Sequence, residues 1–247
     1  MNSVAIVTGG SRGIGRATSL AAAKRGYKVV VGYASNKAAA DEVVAAVEAS
    51  NGKAIAVKCD VGIEADIVHL FKEADKFGKL GALVNNAGVV DKTARVDQMS
   101  AERLARMMNI NVVGSILCAR EAVKRMSTAH GGEGGVIVNL SSVAATLGSP
   151  GLYVDYAASK GAIDTFTVGL AREVSSEGIR VNAIRPGLID TDIHASGGEP
   201  DRAQKLAHTV PMKRVGTADE IANAVIWLMS DEASYVTGTI FDVSGGR

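Results

Sequence analysis

Cysteine, proline and aromatic residues are scarce in this chain: its 247 residues include two Cys, four Pro, one Trp and only 4% aromatics. Two cysteines, Cys59 and Cys118, make no disulfide framework, which fits a reducing compartment, so a cytoplasmic protein is expected. Neither sign of charge dominates, since 27 Lys and Arg face 26 Asp and Glu for a net charge of +1. With no basic cluster, neither nucleic acid nor an anionic membrane surface is expected as a partner. No apolar run approaches the ~18 residues that a membrane helix needs. The first apolar run has no charged leader and reads as a strand, not a signal peptide. His69, His130, His194 and His208 have no metal-ligand spacing and no Cys or acid cluster beside them, so no metal is expected. No linker, low-complexity tract or short repeat divides the chain, which points to one domain over residues 1–247.

What is present is 47% hydrophobic residues and 28 glycines. Apolar strand-like runs at residues 4–8, 28–33, 54–58, 82–85, 136–140, 180–185 and 240–243 alternate with helical patterns. Those helices start near Gly15, Ala38, Glu64, Ala101, Gly114, Asp155 and Thr217. This alternation implies an α/β fold, a doubly wound parallel sheet of Rossmann type with helices on both faces. The strands are nearly continuous apolar runs, as sheets covered on both faces require. Trp227, inside an apolar helical run, reads as core. Residues 190–213 break the alternation with a long polar connection carrying Gly197, Gly198 and Pro200, and long connections of this kind often serve as lids.

Ligands of open parallel sheets bind at the carboxyl ends of the strands. The first strand runs into Thr8-Gly9-Gly10-Ser11-Arg12-Gly13-Ile14-Gly15, where Gly9, Gly13 and Gly15 let backbone approach a pyrophosphate at a helix N-terminus. The plainer reading is a tight strand–helix turn with no ligand. A site for NAD places an acid at the end of the second strand. Here that region is Gly32-Tyr33-Ala34-Ser35-Asn36-Lys37, with no acid before Asp41. Nothing there repels a 2′-phosphate, and the Arg12 guanidinium suits one, with Ser11, Ser35 and Asn36 adding hydrogen bonds. NADP is therefore the expected cofactor; the alternative for Arg12 is a solvated loop arginine. Asp60, beside Val61 at the third strand's end, is an acceptor for an adenine amino group. Asn86-Ala87-Gly88 closes the fourth strand with backbone that can run along a cofactor.

Tyr156 and Lys160, four apart, share one helix face. A free phenol titrates near ~10, and a neighbouring ammonium is expected to pull that value down, poising Tyr156 as a general acid/base. A dinucleotide site beside such a pair suggests hydride transfer to or from a carbonyl. Tyr153 has Ala157 where its lysine would stand and reads as a wall of the substrate pocket. Ser141 and Ser142 point to opposite faces of their strand, so only one of them meets the substrate.

Together these segments resemble the short-chain dehydrogenase/reductase family, over matching stretches from Val4 to Gly246. The glycine turn, Asn85-Asn86-Ala87-Gly88, Tyr156-x-x-x-Lys160, the loop from Arg185 through Pro186, Gly187, Leu188, Ile189 and Asp190 to Thr191, Val236-Thr237-Gly238 and Ser244-Gly245-Gly246 carry the likeness. It is closest to NADP-preferring bacterial members, carrier-protein ketoacyl reductases and sugar dehydrogenases among them. The resemblance picks Ser142 over Ser141 and adds Asn111 to the catalytic set. It implies that Tyr156 donates the proton and that Ser142 steadies the carbonyl oxygen. Lys160 would hold the ribose hydroxyls, and Asn111 a water leading from Lys160 to solvent. Pro186, Gly187, Ile189 and Thr191 would sit at the nicotinamide end.

The expected activity is NADP(H)-dependent hydride transfer to or from a small carbonyl or alcohol. Two other readings remain: a carrier-protein ketoacyl reductase, for which Lys124 and Arg125 are candidate docking cations, and a nucleotide-binding protein without chemistry. The polar residues of 190–199, with Tyr153 and Asp155, suggest a small polar substrate such as a sugar, polyol or short hydroxy or keto compound. Ala119, Ala157, Ala158, Gly161 and Ala162 permit close helix packing, and relatives pair through these helices, so a homotetramer is expected.

Overall fold

The computed structural model describes residues 3–191 and 202–247. The strands are β1 (Val4–Val7), β2 (Lys28–Tyr33), β3 (Lys53–Lys58), β4 (Leu80–Asn85), β5 (Gly135–Leu140), β6 (Ile179–Pro186) and β7 (Ile240–Val243). They form a 7-stranded sheet in the order β3-β2-β1-β4-β5-β6-β7, with every neighbouring pair parallel. The helices are α1 (Gly13–Lys24), α2 (Lys37–Ala49), α3 (Glu64–Phe77), α4 (Ala101–Met108), α5 (Gly114–Met126), α6 (Ala144–Leu147), α7 (Val154–Val174), α8 (Arg202–Leu206) and α9 (Ala218–Met229).

Alternate residues of each strand face opposite ways, and here both faces are apolar. In β1, Ala5 and Val7 join Val29, Val31, Val84 and Val138 under α1, α2 and α9. Val4 and Ile6 join Val30, Leu83, Ile137 and Val181 under α3, α5 and α7. This is why the strands read as unbroken apolar runs. The order reverses between β1 and β4: the chain winds outward through β2 and β3, returns beside β1, and winds the other way. A crevice opens above the carboxyl ends of β1 and β4, which is where a ligand of such a sheet sits.

The expected strands all form, shifted by at most two residues; β4, for instance, begins at Leu80. Three features depart from expectation. The helices anticipated separately near Ala101 and Gly114 are joined by a π-helical turn at Asn109–Val113. The short helix α6 follows β5. Trp227 is only partly buried and packs edge-on against Phe241, with ring centroids 5.6 Å apart, at the margin of the core. Of the 190–213 connection, Gly197, Gly198, Pro200 and His194 lie outside the described residues; Ala203 and Val210 pack on Leu188 in a small cluster of their own. Among the described residues no helix is long and apolar enough to cross a membrane, and no group of three His, Cys, Asp or Glu side chains is placed to share a metal ion.

Candidate active site

The glycine turn is held open by its neighbours. Gly9 and Gly13 adopt φ of 61° and 50°, conformations that side chains other than glycine resist. A Cβ on Gly15 would lie 2.1 Å from the Gly9 carbonyl oxygen and 2.5 Å from Asn86 Nδ2, so this position must be glycine for α1 to start so close to the turn. Asn86 Nδ2 donates to the carbonyls of Thr8 at 2.9 Å and Gly9 at 3.0 Å. Thr8 Oγ1 accepts from the Asn86 and Ala87 amides, each at 3.0 Å. The end of β4 is thereby laced to the end of β1, and Asn86 acts first as a brace for the turn. At the start of α1, Arg12 makes no side-chain cap and the first turn holds no acid. The amides and positive dipole end there suit a phosphate.

A cleft of about 480 Å³ opens at this turn. It is lined by Gly9, Ser11, Arg12, Gly13, Ile14, Tyr33, Ser35, Asn36, Asp60, Val61, Asn86, Ala87, Gly88 and Thr191, all anticipated from the sequence. It is also lined by Cys59, Val89, Arg106 and Ile110, which were not. Arg106 lies on the exposed side of α4, 3.7 Å from Asp91, and nothing in its local sequence sets it apart from a solvated helix arginine. Asp60 Oδ1 already accepts from the Gly62 amide at 2.9 Å, which shapes the loop after β3. Asn36 caps α2 by accepting from the Ala39 amide at 3.0 Å.

A second cleft, of about 190 Å³, shares Ile14, Asn86, Gly88 and Thr191 with the first and continues from it. Ser142, Tyr153, Tyr156, Lys160, Pro186, Gly187 and Ile189 line it, with Val90, Val143, Ala144, Leu147, Ser149, Leu188 and Arg247. Ser142 lies beside the Tyr156 phenol and favours its ionised form, and accepts from the Ala144 amide at 3.1 Å. Leu140 and Ser141 border the same cleft, but Ser141 is buried and its hydroxyl is committed to the Lys160 carbonyl at 3.2 Å. Lys160 Nζ lies 5.6 Å from the centre of the Tyr156 ring and donates to the Leu140 carbonyl at 2.6 Å. Burial pushes the Lys160 ammonium down to about 8, partly opposed by Asp164 one turn further along α7. Burial also pushes the Tyr156 phenol up, and Ser142 opposes that without reversing it. The sequence expectation that Lys160 lowers this phenol is therefore not met in the protein alone: desolvation by burial sets the direction.

Asn111 is buried in the π turn. Its Oδ1 accepts from the Val89 amide at 2.8 Å, while Nδ2 donates to the Val89 carbonyl at 3.0 Å and approaches Ser159 Oγ at 3.1 Å. A π turn re-aims one residue without ending the helix and recurs at functional sites. A Cβ on Gly88 would fall 3.4 Å from Asn111 Oδ1 and 3.6 Å from Lys160 Nζ. The bare glycine leaves a gap beside both groups, open toward the two clefts. Asp155 does not join this set. It is 7% exposed and paired with Arg103, so its expected contact with substrate is withdrawn. Ala119 and Ala157, expected at a subunit contact, are buried within the protomer.

A cleft opening at a helix start, continuous with a Ser–Tyr–Lys cluster above a doubly wound sheet, defines a dinucleotide-type oxidoreductase. The family profile described as "Enoyl-(Acyl carrier protein) reductase" matches residues 9–247. The chain is 54% identical over 245 residues to the "Uncharacterized oxidoreductase YgfF" of Escherichia coli K12, covering 99% of each chain. It is 40% identical to a 3-oxoacyl-[acyl-carrier-protein] reductase of Synechocystis, covering 98% of this chain and 96% of the other. A short-chain dehydrogenase from Burkholderia cenocepacia, solved in complex with NADP, superposes with a TM-score of 0.91 at 32% identity, covering 99% of this chain and 97% of that one. This chain belongs to the short-chain dehydrogenase/reductase family, and it is an oxidoreductase.

Proposed function

We propose that the protein reduces a small carbonyl compound, or oxidises the corresponding alcohol, with NADP(H). The observation that carries this reading is the continuity of the two clefts, which brings Ser142, Tyr156 and Lys160 to the inner end of the glycine-turn site. The bare Gly88 beside Lys160, the glycine cradle at Gly15 and the acid-free start of α1 all suit the dinucleotide. Ser11, Arg12, Ser35 and Asn36 would meet a 2′-phosphate, and Pro186, Gly187, Ile189 and Thr191 the nicotinamide end. When bound, the cofactor supplies or accepts the hydride. In the reducing direction Tyr156 gives its phenolic proton to the carbonyl oxygen as the carbon gains hydride. Ser142 donates a hydrogen bond to that oxygen and offsets its growing negative charge. Lys160 holds positive charge behind the phenol and reaches the ribose hydroxyls. Asn111 fixes the Val89 segment and lines the proton route from Lys160.

The test is turnover of a panel of short polar carbonyls and alcohols with NADPH or NADP⁺. Tyr156→Phe should abolish turnover while NADPH still binds; substantial retained turnover removes Tyr156 from the proton-transfer role. The carrier-protein reading has the Synechocystis relative in its favour. Against it, Lys124 pairs with Glu121 at 2.8 Å, and Arg125 pairs with Asp75 at 2.7 Å and Glu121 at 3.0 Å. The expected docking cations are thus already neutralised within the protomer. A clear kcat/KM preference for long-chain acyl thioesters over short polar ketones would favour that reading instead.

We also propose a cytoplasmic homotetramer. The two unpaired thiols support the location, and fractionation checks it. Leu104, Met108, Val113 and Ile116 are exposed along α4, the π turn and α5, and Gly161 and Gly169 leave open space on α7, which supports subunit packing there. Light scattering at micromolar concentration should give four times the chain mass, and a monomer mass would refute it.

A further inference from the structure

Arg103 and Asp155 are 52 residues apart and form a partly buried pair beside the active site, with Asp155 the deeper partner. Arg103 Nε donates to Asp155 Oδ2 at 2.7 Å and Nη2 donates to Oδ1 at 3.1 Å, a two-pronged pair. The side chains are 11% and 2% exposed. The third guanidinium nitrogen, Nη1, donates to the Lys92 carbonyl at 2.6 Å. One arginine therefore joins three segments: α4, the first turn of α7 and the loop that follows β4. That loop carries Asn86, Gly88 and Val90 on the substrate cleft. A backbone bond from the Ala94 amide to the Leu152 carbonyl, 3.0 Å, ties the same loop to the approach to α7. Asp155 immediately precedes Tyr156, and Tyr153, on the other side of it, lines the cleft.

Burying two opposite charges costs desolvation that a surface pair avoids. A planar fork offers geometry in return, because two parallel bonds fix both distance and angle. The fork lies outside the apolar clusters of the core and one residue before Tyr156, whose phenol must reach the substrate oxygen within hydrogen-bond range. We propose that the Arg103–Asp155 pair is a positioning device for Tyr156, clamping the first turn of α7 against the loop after β4 so that the phenol and the cleft wall stay in register. The pair acts through Tyr156 and touches neither substrate nor cofactor.

The two charges of the pair offset one another at the phenol, whose direction of shift is set by burial and Ser142. The titratable and charged groups on the elements packed about the pair and Tyr156 are Tyr153 ahead of α7, Asp155 and Lys160 from α7, with Asp164 behind Lys160, Arg103 from α4, Asp91 from the loop after β4, and Arg247, which faces the cleft from beyond β7. Removing Arg103 leaves Asp155 unbalanced and disfavours the phenolate; removing the Asp155 charge leaves Arg103 unbalanced and favours it.

This inference rests on Tyr156 as the proton-transfer group, and Tyr156→Phe is run alongside to test that premise by itself. Arg103→Gln, Arg103→Lys and Asp155→Asn are compared with the unmodified full-length enzyme in alcohol oxidation with NADP⁺. Arg103→Gln and Asp155→Asn should each lose at least about tenfold in kcat, the cost of a misplaced reacting group, with NADPH affinity held within about twofold. The rising limb of kcat/KM against pH should move by roughly half a unit to one unit, upward in Arg103→Gln and downward in Asp155→Asn. Arg103→Lys restores the charge but not the fork, so its limb should return while kcat recovers only in part. A pair that serves stability alone would lower the melting temperature of both variants without opposite displacements. Limbs that stay put or move together overturn the proposal, as does kcat within about twofold of the unmodified enzyme. Should Arg103→Gln not fold, Asp155→Asn, which keeps shape and removes only charge, together with Arg103→Lys decides the matter by the same limbs. If Tyr156→Phe stays active, the premise fails instead, and the two failures are distinct.

Discussion

Replacing Arg12 by alanine should erode discrimination between the two nicotinamide dinucleotides, and the structure sets the size of the effect. Arg12 stands in extended conformation, φ −143° and ψ 163°, at the cap of α1. It is exposed on the cleft beside Ser11, Ser35 and Asn36. Among the described residues no carboxylate pairs with it. The nearest acid after β2, Asp41, is held by Lys37 at 2.7 Å, so it neither competes for Arg12 nor repels a phosphate strongly. A charge-assisted contact to a phosphate contributes about 1.5–3 kcal/mol. At about 1.4 kcal/mol per factor of ten, that is roughly 10- to 150-fold in affinity. Exposure and screening favour the lower end, so Arg12→Ala should weaken NADPH binding about tenfold near physiological salt and more at low salt. NADH, lacking the 2′-phosphate, should be nearly unaffected. Arg106, the second guanidinium on this cleft, already faces Asp91 at 3.7 Å, so Arg106→Ala should not separate the two cofactors. Calorimetric titration of each protein with both nucleotides at two salt concentrations measures all of this. Equal affinity of the unmodified protein for NADPH and NADH would refute the reasoning, as would an Arg12→Ala variant that loses both in equal measure.

Lys160→Met should abolish turnover yet stabilise the fold at neutral pH. The folded ammonium titrates near about 8, below an unfolded lysine. The unfolded chain therefore binds more protons between that value and the ordinary lysine value, and the unmodified protein should gain stability as pH rises through that window. The gain from Lys160→Met should approach about 3 kcal/mol at pH 7, less about 1 for the Leu140 carbonyl left without its donor, and should vanish above the unfolded lysine value. Melting curves across pH check it; a variant that is less stable at neutral pH contradicts the burial argument. Gly15→Ala should lower both the melting temperature and NADPH affinity, because its Cβ meets a backbone carbonyl at 2.1 Å and overpacking of this kind costs about 1–3 kcal/mol. Unchanged melting and binding would show that the glycine turn yields more easily than its geometry implies.

What the sequence made legible was local. Strands such as Val4–Val7 are apolar on both faces because both are covered, so their extent and their burial within a parallel sheet follow from the residues themselves. Gly9, Gly13 and Gly15 announce a turn that only glycine tolerates, and Tyr156 and Lys160 share a helix face by spacing alone. What was not legible depends on partners far along the chain. Asp155 looked free for substrate because Arg103, which occupies it, is 52 positions away. Ala119 and Ala157 looked like contact residues because a small side chain reads alike inside a protomer and between two. Arg106 drew no reading from the sequence, because only the fold brings α4 to the cleft.

The direction of the Tyr156 shift shows most clearly why spacing could not suffice. Four residues of separation place Lys160 one turn from Tyr156 in any helix, and from that alone the phenol should ionise more easily. Depth reverses the outcome. The same packing that brings the two together removes water from both, raising the phenol and lowering the ammonium. Lys160 gives its proton-bearing nitrogen to the Leu140 carbonyl, and Tyr156 keeps only Ser142 to oppose desolvation. A phenol raised this way is a poor proton donor until further charge arrives. An oxidised nicotinamide ring carries one positive charge, and its arrival beside Tyr156 would favour the phenolate in a site where water no longer screens it. The pH limb of alcohol oxidation should therefore lie lower with cofactor bound than the phenol's own titration in the free protein. Spectroscopic titration of tyrosinate in the unliganded protein, compared with Tyr156→Phe and set beside the kcat profile, measures the gap; coincident values would mean that the cofactor's charge plays no part in setting the proton donor.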